Sequence, residues 1–234
     1  MRKVTNLPSR AEQVYQIILE NICDGTFEPG LHLVQEDLAT QLGVSRQPVQ
    51  QAMLLLKSEG LVIESGARGL YVAPLDPQRI VHHYQVRISL DRLAARLVAE
   101  RIAAGSDALR QRFEESAHKL LAQGGLAQAQ HDANRAVLLD MSFHSLIYTY
   151  SGNPLIGVAA EPHWNFLRRV MVSVLLHAGR GSTVWHEHES ILERLLAGDA
   201  EGAEQQVATH ILGAQSALLA ALEAVREPEA DVQA

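Results

Sequence analysis

The sequence predicts a mainly α protein: three helices and a small β-hairpin, followed by an all-α bundle of about six helices. Three observations lead there. Apolar residues recur at helical spacing along most of the chain. The β-like runs, Leu61–Glu64 and Leu70–Val72, flank the turn-forming stretch Ser65-Gly66-Ala67-Arg68-Gly69. Two prolines in Val72-Ala73-Pro74-Leu75-Asp76-Pro77 mark a boundary, beyond which no strand pattern survives. Two domains are therefore expected, over 1–74 and 75–234.

The first helix opens at Ser9-Arg10-Ala11-Glu12, a capping box in which each side chain satisfies a backbone N–H that the first turn leaves without a partner. Val14, Ile17, Ile18 and Ile22 carry helical spacing to about Asp24-Gly25. Phe27-Glu28-Pro29-Gly30 reads as a turn. A short helix from about Gln35 to Leu42 is stopped by Gly43; Gly43-Val44-Ser45 turns tightly, and Ser45 caps a third helix reaching about Glu59. In the second part, Asp76-Pro77 and Asn153-Pro154 each offer an N-cap followed by proline at the first helical position, where its missing N–H costs nothing. Ser106, Ser182 and Asp199 are further caps. Helices are expected at about 77–103, 107–122, 126–150, 154–178, 183–197 and 200–226, with a polar tail fraying after about Glu227.

A chain of 234 residues, 47% apolar and 20% charged, has the make-up of a soluble globular protein. One cysteine, Cys23, excludes an intrachain disulfide framework and suits a reducing compartment. No run approaches the ~18 apolar residues of a membrane span, and MRKVTNLPSR lacks the apolar stretch of a signal peptide. A cytoplasmic protein without a membrane partner is expected. Residues 1–74 hold six Lys/Arg against eight Asp/Glu (net −2), the remainder 14 against 19 (net −5). Charge alone thus argues against a basic nucleic-acid surface.

Order speaks more strongly than charge. Helix, glycine turn, helix and hairpin make a winged helix-turn-helix, whose second helix meets base edges in the major groove with its N-terminal residues. Here those are Arg46, Gln47, Gln50 and Gln51; arginine suits guanine, and glutamine suits adenine N6 and N7. Taken alone the glutamines are as easily a solvated helix face; the turn, the wing and Arg46 favour DNA reading. Arg68, at the hairpin tip, is placed for a phosphate or the minor groove. Residues 11–73 resemble the GntR-type bacterial regulators, with Ile22…Gly25…Pro29-Gly30, Glu36-Asp37-Leu38-Ala39, Leu42-Gly43-Val44-Ser45-Arg46-Gln47-Pro48-Val49 and Leu56…Glu59-Gly60-Leu61 in family order. Where that family usually has Val-Arg-Glu-Ala, this chain has Val49-Gln50-Gln51-Ala52. With one arginine fewer, a shifted base preference and weaker nonspecific attraction are expected.

Four residues of the second part interrupt apolar helical stripes. Asp140 and His144, four apart, share a face with Ala133, Val137 and Ile147; His188 lies among Val184, Ile191 and Leu195; His210 lies among Ala203, Val207, Ala214 and Ala217. A charge or imidazole turned into an apolar interior is costly unless paired or coordinated. Three histidines and an aspartate match the donors that Zn²⁺ and Ni²⁺ accept; each histidine singly reads as a hydrogen-bonded core residue. His186 lies on a polar face, and His163 sits among Ala159, Phe166 and Val170, either lining a cavity or packing in the core. Arg87 also interrupts a stripe, Ile80, Tyr84, Leu90, Ala94 and Leu97. Two roles are open to it: recognition of an anionic ligand, or neutralisation of a neighbouring acid. Asn165 is a weaker cavity residue.

Residues 77–222 resemble the all-helical, FCD-type effector domain of the FadR-like branch of the same family, through Asp140-Met-Ser-Phe-His144, Glu187-His188-Glu-Ser-Ile191-Leu192 and Gly198-Asp199-Ala200 followed by Thr209-His210-Ile211. The resemblance implies that Asp140, His144, His188 and His210 converge on one divalent metal, and that the effector is a small organic acid. The expected function is a ligand-responsive transcriptional regulator, not an enzyme, binding a palindromic double-stranded operator as a homodimer. Two rivals remain: a regulator for which the ion itself is the signal, and a metalloenzyme fused to a DNA-binding module, against which stands the absence of an obvious general base beside the ligands.

Overall fold

The computed structural model describes residues 8–66, 69–105, 107–178 and 182–226, with the backbone alone for 174–178, 182 and 225–226. The chain divides into two compact units, Met1–Leu75 and Asp76–Ala234.

In the first unit α1 spans Arg10–Cys23, α2 Gln35–Gln41 and α3 Arg46–Ser58. The capping box at α1 is formed in both directions, Ser9 N–H to Glu12 Oε2 at 2.6 Å and Glu12 N–H to Ser9 Oγ at 3.2 Å. Gly43 takes φ +64° between α2 and α3, which needs no Cβ there, and Val44 N–H closes the end of α2 on Ala39 O at 3.0 Å. Ser45 occupies the N-cap of α3 with extended backbone but forms no side-chain cap, contrary to expectation. The third helical residue is Pro48, which has no N–H to offer it. Strands β1 (Val62–Ser65) and β2 (Gly69–Val72) pair antiparallel, Val62 opposite Val72 and Ser65 opposite Gly69. For residues 31–33 the sequence predicts no element. They lie along the free edge of β2, through Leu33 N–H to Leu70 O, Val72 N–H to Leu31 O and a His32–Tyr71 bridge. Val14, Ile18, Ile22, Val49, Ala52, Leu56, Leu61 and Val72 form the core, and Ile17 turns outward, 44% exposed.

The second unit holds α4 (Pro77–Ala103), α5 (Asp107–Ala129), α6 (Ala133–Tyr150), α7 (Pro154–Ala178), α8 (Ser182–Leu196) and α9 (Ala200–Arg226). Asp76 caps α4 through Gln78 N–H at 2.9 Å, with Pro77 at the first position; Asn153 and Asp199 cap α7 and α9 likewise, through Leu155 and Gly202 N–H. Helix α4 packs against α6, α7, α8 and α9. Its buried Ala94, Ala95 and Ala99 let neighbouring backbones approach closely. Helix α9 is apolar and long enough to cross a bilayer by composition, with mean hydropathy 1.3 over Ala200–Ala224. Its Ala203, Val207, Ile211, Leu218 and Leu222 are buried in the bundle instead.

One boundary differs. A break was expected between 122 and 126, at Gly124-Gly125, yet α5 runs through both glycines to Ala129. Gly124 is buried beneath the Trp185 ring, where a Cβ would meet three ring carbons at 2.1–2.3 Å. Tertiary packing thus sets a glycine inside the helix against its intrinsic cost. The turn falls at His131, with φ +56°, closed by Asp132 N–H to Ala127 O at 3.0 Å. The Arg68 expectation, the Ser106 cap and the tail beyond 226 lie outside the described residues, as does the Ser182 side chain.

Candidate functional site

Three helices of the second unit deliver the four interruptions to one point: Asp140 and His144 from α6, His188 from α8 and His210 from α9. One ligand atom from each lies within 4.8 Å of the other three. His188 Nε2 stands 3.2 Å from Asp140 Oδ1 and 3.2 Å from His210 Nε2, and His144 Nε2 stands 4.0 Å from Asp140 Oδ1. The three histidines are fully or almost fully buried, and the Asp140 side chain is 14% exposed.

Acids behind the cluster orient it. His144 Nδ1–H donates to Asp91 Oδ1 at 2.7 Å, and His210 Nδ1–H donates to Glu187 Oε2 at 2.7 Å. Each bond fixes a tautomer whose Nε2 lone pair faces the cluster, as outer acids do around metal-ligating histidines. His144 Nε2 is buried with no hydrogen-bond partner. A lone pair left unmet in a dry interior is costly, and a cation at the point of convergence would satisfy it. His188 is held by packing instead, its ring stacked on Phe143 at 4.5 Å and edge-on to Trp185 at 5.1 Å. Burial depresses the pKa of His144 well below its usual value, Arg87 adding to it, and burial likewise lowers His210 against the opposing bond to Glu187. Both imidazoles are therefore neutral, the form that binds metal. Burial works to raise Asp140; its hydrogen bond to His188 and the charge of Arg87 outweigh that and hold it well below the usual carboxylate range. A converging donor set of three nitrogens and one oxygen fits a divalent metal such as zinc or nickel.

Arg87 lies one turn before Asp91 on α4 and is 1% exposed. Its Nε is 3.5 Å from Asp91 Oδ2, so the neighbouring-acid reading of Arg87 has its partner. Asp91 Oδ2 also accepts from Tyr148 OH at 2.9 Å, and Tyr148 in turn accepts from Trp164 Nε1–H at 3.1 Å. The guanidinium lies 3.7 Å from the centre of the Trp164 ring, while Nη2 has no hydrogen-bond partner. Burial opposes the charge of Arg87, but Asp91 and Asp140 raise its pKa overall. Burial lifts the Asp91 carboxyl to about 6, partly offset by Arg87 and Tyr148.

The remaining expected residues fall elsewhere. Asn165 lines a groove of about 650 Å³ between α6 and α7, with Ser145, Tyr148, Glu161 and Trp164, and is not among the four. His163 pairs with His83 of α4, Nδ1 to Nδ1 at 3.0 Å, rather than joining the cluster. His186 is 80% exposed beside Glu189. In the first unit, Gln47, Gln50 and Gln51 line an open groove between α3 and the hairpin. Arg46 is exposed, 3.8 Å from Glu36. The sequence reading missed Asp91, Glu187, Tyr148 and Trp164 as parts of the site. Asp91 carried a usable signal, an acid four residues after a stripe-breaking arginine; Glu187 carried only its place beside His188 in the family motif, with no sign of its role, because it serves a different helix from its own.

A winged helix-turn-helix in one unit and a metal-competent polar centre inside the helical other define the class, a DNA-binding regulator with a second, all-helical domain. The family follows from comparison: residues 82–213, more than half of the chain, match the FCD domain, and residues 10–72 match the bacterial regulatory proteins of the gntR family. The chain belongs to the GntR family, in its FCD-bearing branch, and is a transcriptional regulator rather than an enzyme. It is 28% identical over 200 residues to the uncharacterised HTH-type transcriptional regulator YdhC of Bacillus subtilis, covering 85% of this chain and 86% of that one. It is 23% identical over 200 residues to the HTH-type transcriptional repressor RspR of Escherichia coli, covering 86% and 85%. The structure of E. coli McbR/YncC shares the fold with a TM-score of 0.75 at 21% identity, covering 91% of this chain and 98% of that one.

Proposed function

We propose that this regulator is cytoplasmic and binds a palindromic operator as a homodimer, one winged helix reading one half-site through Arg46, Gln47, Gln50, Gln51 and Arg68. Asp140, His144, His188 and His210 hold a divalent metal, zinc or nickel, and a small organic acid bridges that metal and Arg87. One observation carries the metal part: three imidazole nitrogens and a carboxylate converge, and the buried His144 Nε2 has nothing else to bond. The buried Nη2 of Arg87, without an acceptor, supports the acid, because a carboxylate supplies the missing charge-assisted bond. Trp164 covers Arg87 and also lines the α6–α7 groove beside Asn165. The groove's volume suits a small ligand, and an acid that enters by it displaces the indole. Binding that favours one arrangement of the helical domain then changes operator affinity, as coupling between two sites requires.

The test begins with metal content. Protein purified without chelator carries about one divalent ion per chain, lost in Asp140→Ala and His188→Ala. Small carboxylates titrated onto the metal-loaded protein change Trp164 fluorescence and the affinity for a duplex selected from a random library. An affinity change on adding metal alone makes the ion the signal. A carboxylate response that persists in metal-free His188→Ala sinks the bridging mechanism.

A further inference from the structure

The solvent face of α3 runs Arg46, Gln47, Gln50, Gln51 and then Leu54, residues three and four apart and so aligned on one side. Leu54 is 66% exposed. It lines the same groove of about 700 Å³ as the three glutamines, walled opposite by Glu64, Gly66 and Leu70 of the hairpin. The core of this unit does not explain the leucine, since α3 buries Val49, Ala52 and Leu56 on its other side, and Met53, which also lines the groove, is itself buried. Among the described residues, the cation that lines the groove, Lys57, is paired with Glu64 at 2.7 Å. Leu55, 47% exposed, does not line the groove. Leu54 thus adds an exposed apolar side chain to a polar, hydrogen-bonding helix face; of the other apolar residues described along the groove, Met53 is buried and Leu70 half-buried. The major groove offers one matching group at its base edges, the C5 methyl of thymine. Leu54 stands four residues beyond Gln50, about 6 Å along the helix axis, which is between one and two base-pair steps of ~3.4 Å.

We propose that Leu54 is a specificity-determining residue that reads the methyl group of a thymine in the operator half-site, one to two base pairs from the position reached by Gln50. The proposal rests on α3 being the recognition helix. Full-length protein is used to select duplexes from a random-sequence library. The selected duplex is then remade with each thymine in turn replaced by deoxyuridine, which removes the methyl and nothing else. One thymine per half-site is expected to lose about fourfold in affinity on this change, the factor one buried methyl carries. Leu54→Ala should bind the thymine and uracil duplexes equally while keeping its preference at every other position; the side chain is exposed, so the variant folds. A wild-type protein indifferent to every thymine-to-uracil change, or a Leu54→Ala protein that still discriminates, overturns the proposal. Selection by Arg46→Ala of the wild-type sequence overturns the recognition-helix assignment, and the thymine contact with it.

Discussion

Adjacent glycines in α5 are expected to respond to the same substitution with opposite signs. Gly124 and Gly125 are both helical, so alanine at either position gains up to about 1 kcal/mol of intrinsic helix preference. At Gly125 a Cβ meets nothing within 4 Å, and that gain is kept. At Gly124 the Cβ would lie 2.1, 2.2 and 2.3 Å from carbons of the Trp185 ring. Carbon atoms rest at about 3.5–4.0 Å, so the ring must retreat by more than an ångström. Trp185 is 7% exposed and lies edge-on to His188, leaving little room for that retreat. Overpacking costs about 1–3 kcal/mol, and a buried ring that must move more than an ångström takes the upper part of that range, about 2–3 kcal/mol, so Gly124→Ala is expected to lose about 1–2 kcal/mol net of the helix gain. In a domain of this size each kcal/mol moves Tm by about 2–4 °C. Both tryptophans of the chain, Trp164 and Trp185, lie in the second unit, so the fluorescence melt reports that unit alone. Gly125→Ala should melt above wild type and Gly124→Ala below it, with weaker metal affinity as the displaced ring presses on His188. A Gly124→Ala protein as stable as Gly125→Ala would refute the account of why α5 runs through both glycines.

Replacing Asp91 by asparagine keeps the shape but weakens the anchor of His144, so metal affinity should fall about 10- to 100-fold; competition with a chromogenic chelator measures it, and an unchanged affinity would remove Asp91 from the site. Asp91→Ala leaves the Arg87 charge buried and unpaired, and a loss of about 3–5 kcal/mol is expected in a denaturant titration. Burial first, then His163, Arg79 and His82, depress the His83 pKa from 6.5 to about 4. Between those values the unfolded chain takes up a proton that the folded chain refuses, so stability falls as pH drops from about 6.5 to about 4 and levels off below. His83→Gln should flatten that slope in Tm recorded against pH, and an unaltered slope would acquit the histidine. Chelation should lower the Tm of wild-type protein and leave that of His188→Gln unmoved; equal shifts would show that the ion lost was bound elsewhere.

What sequence reveals here depends on whether a signal is local. Helices α4, α7 and α9 were legible to their ends because Asp76-Pro77, Asn153-Pro154 and Asp199 announce them with caps that use only neighbouring backbone. The run of α5 through Gly124-Gly125 was not, since the reason for it is a tryptophan three helices later in the chain. The unformed Ser45 cap was readable in principle, because Pro48 stands where the donor is needed. In the site, the four stripe-breaking residues betrayed themselves by polarity in the wrong place. Trp164 did not, because an aromatic ring on an apolar face looks like core until Arg87 is found beneath it. Glu187 adjoins His188 in sequence and orients His210 in space, a division of labour that no periodicity encodes.

Those orienting acids also settle when an ion can be chosen. Asp91 ties α4 to α6 and Glu187 ties α8 to α9, while the donors themselves come from α6, α8 and α9. No contiguous segment, and no pair of neighbouring helices, contains the whole arrangement. An emerging polypeptide therefore has nothing with which to discriminate among cellular cations, unlike a zinc finger, whose ligands cluster in a short stretch and whose folding the ion drives. If the cluster holds an ion, as proposed, selection would fall to the finished bundle, with the His144 and His210 tautomers already set by Asp91 and Glu187. The identity of a metal held there would then be set by the ions that exchange with mature protein, and two cells expressing this chain could fill it differently without altering a residue.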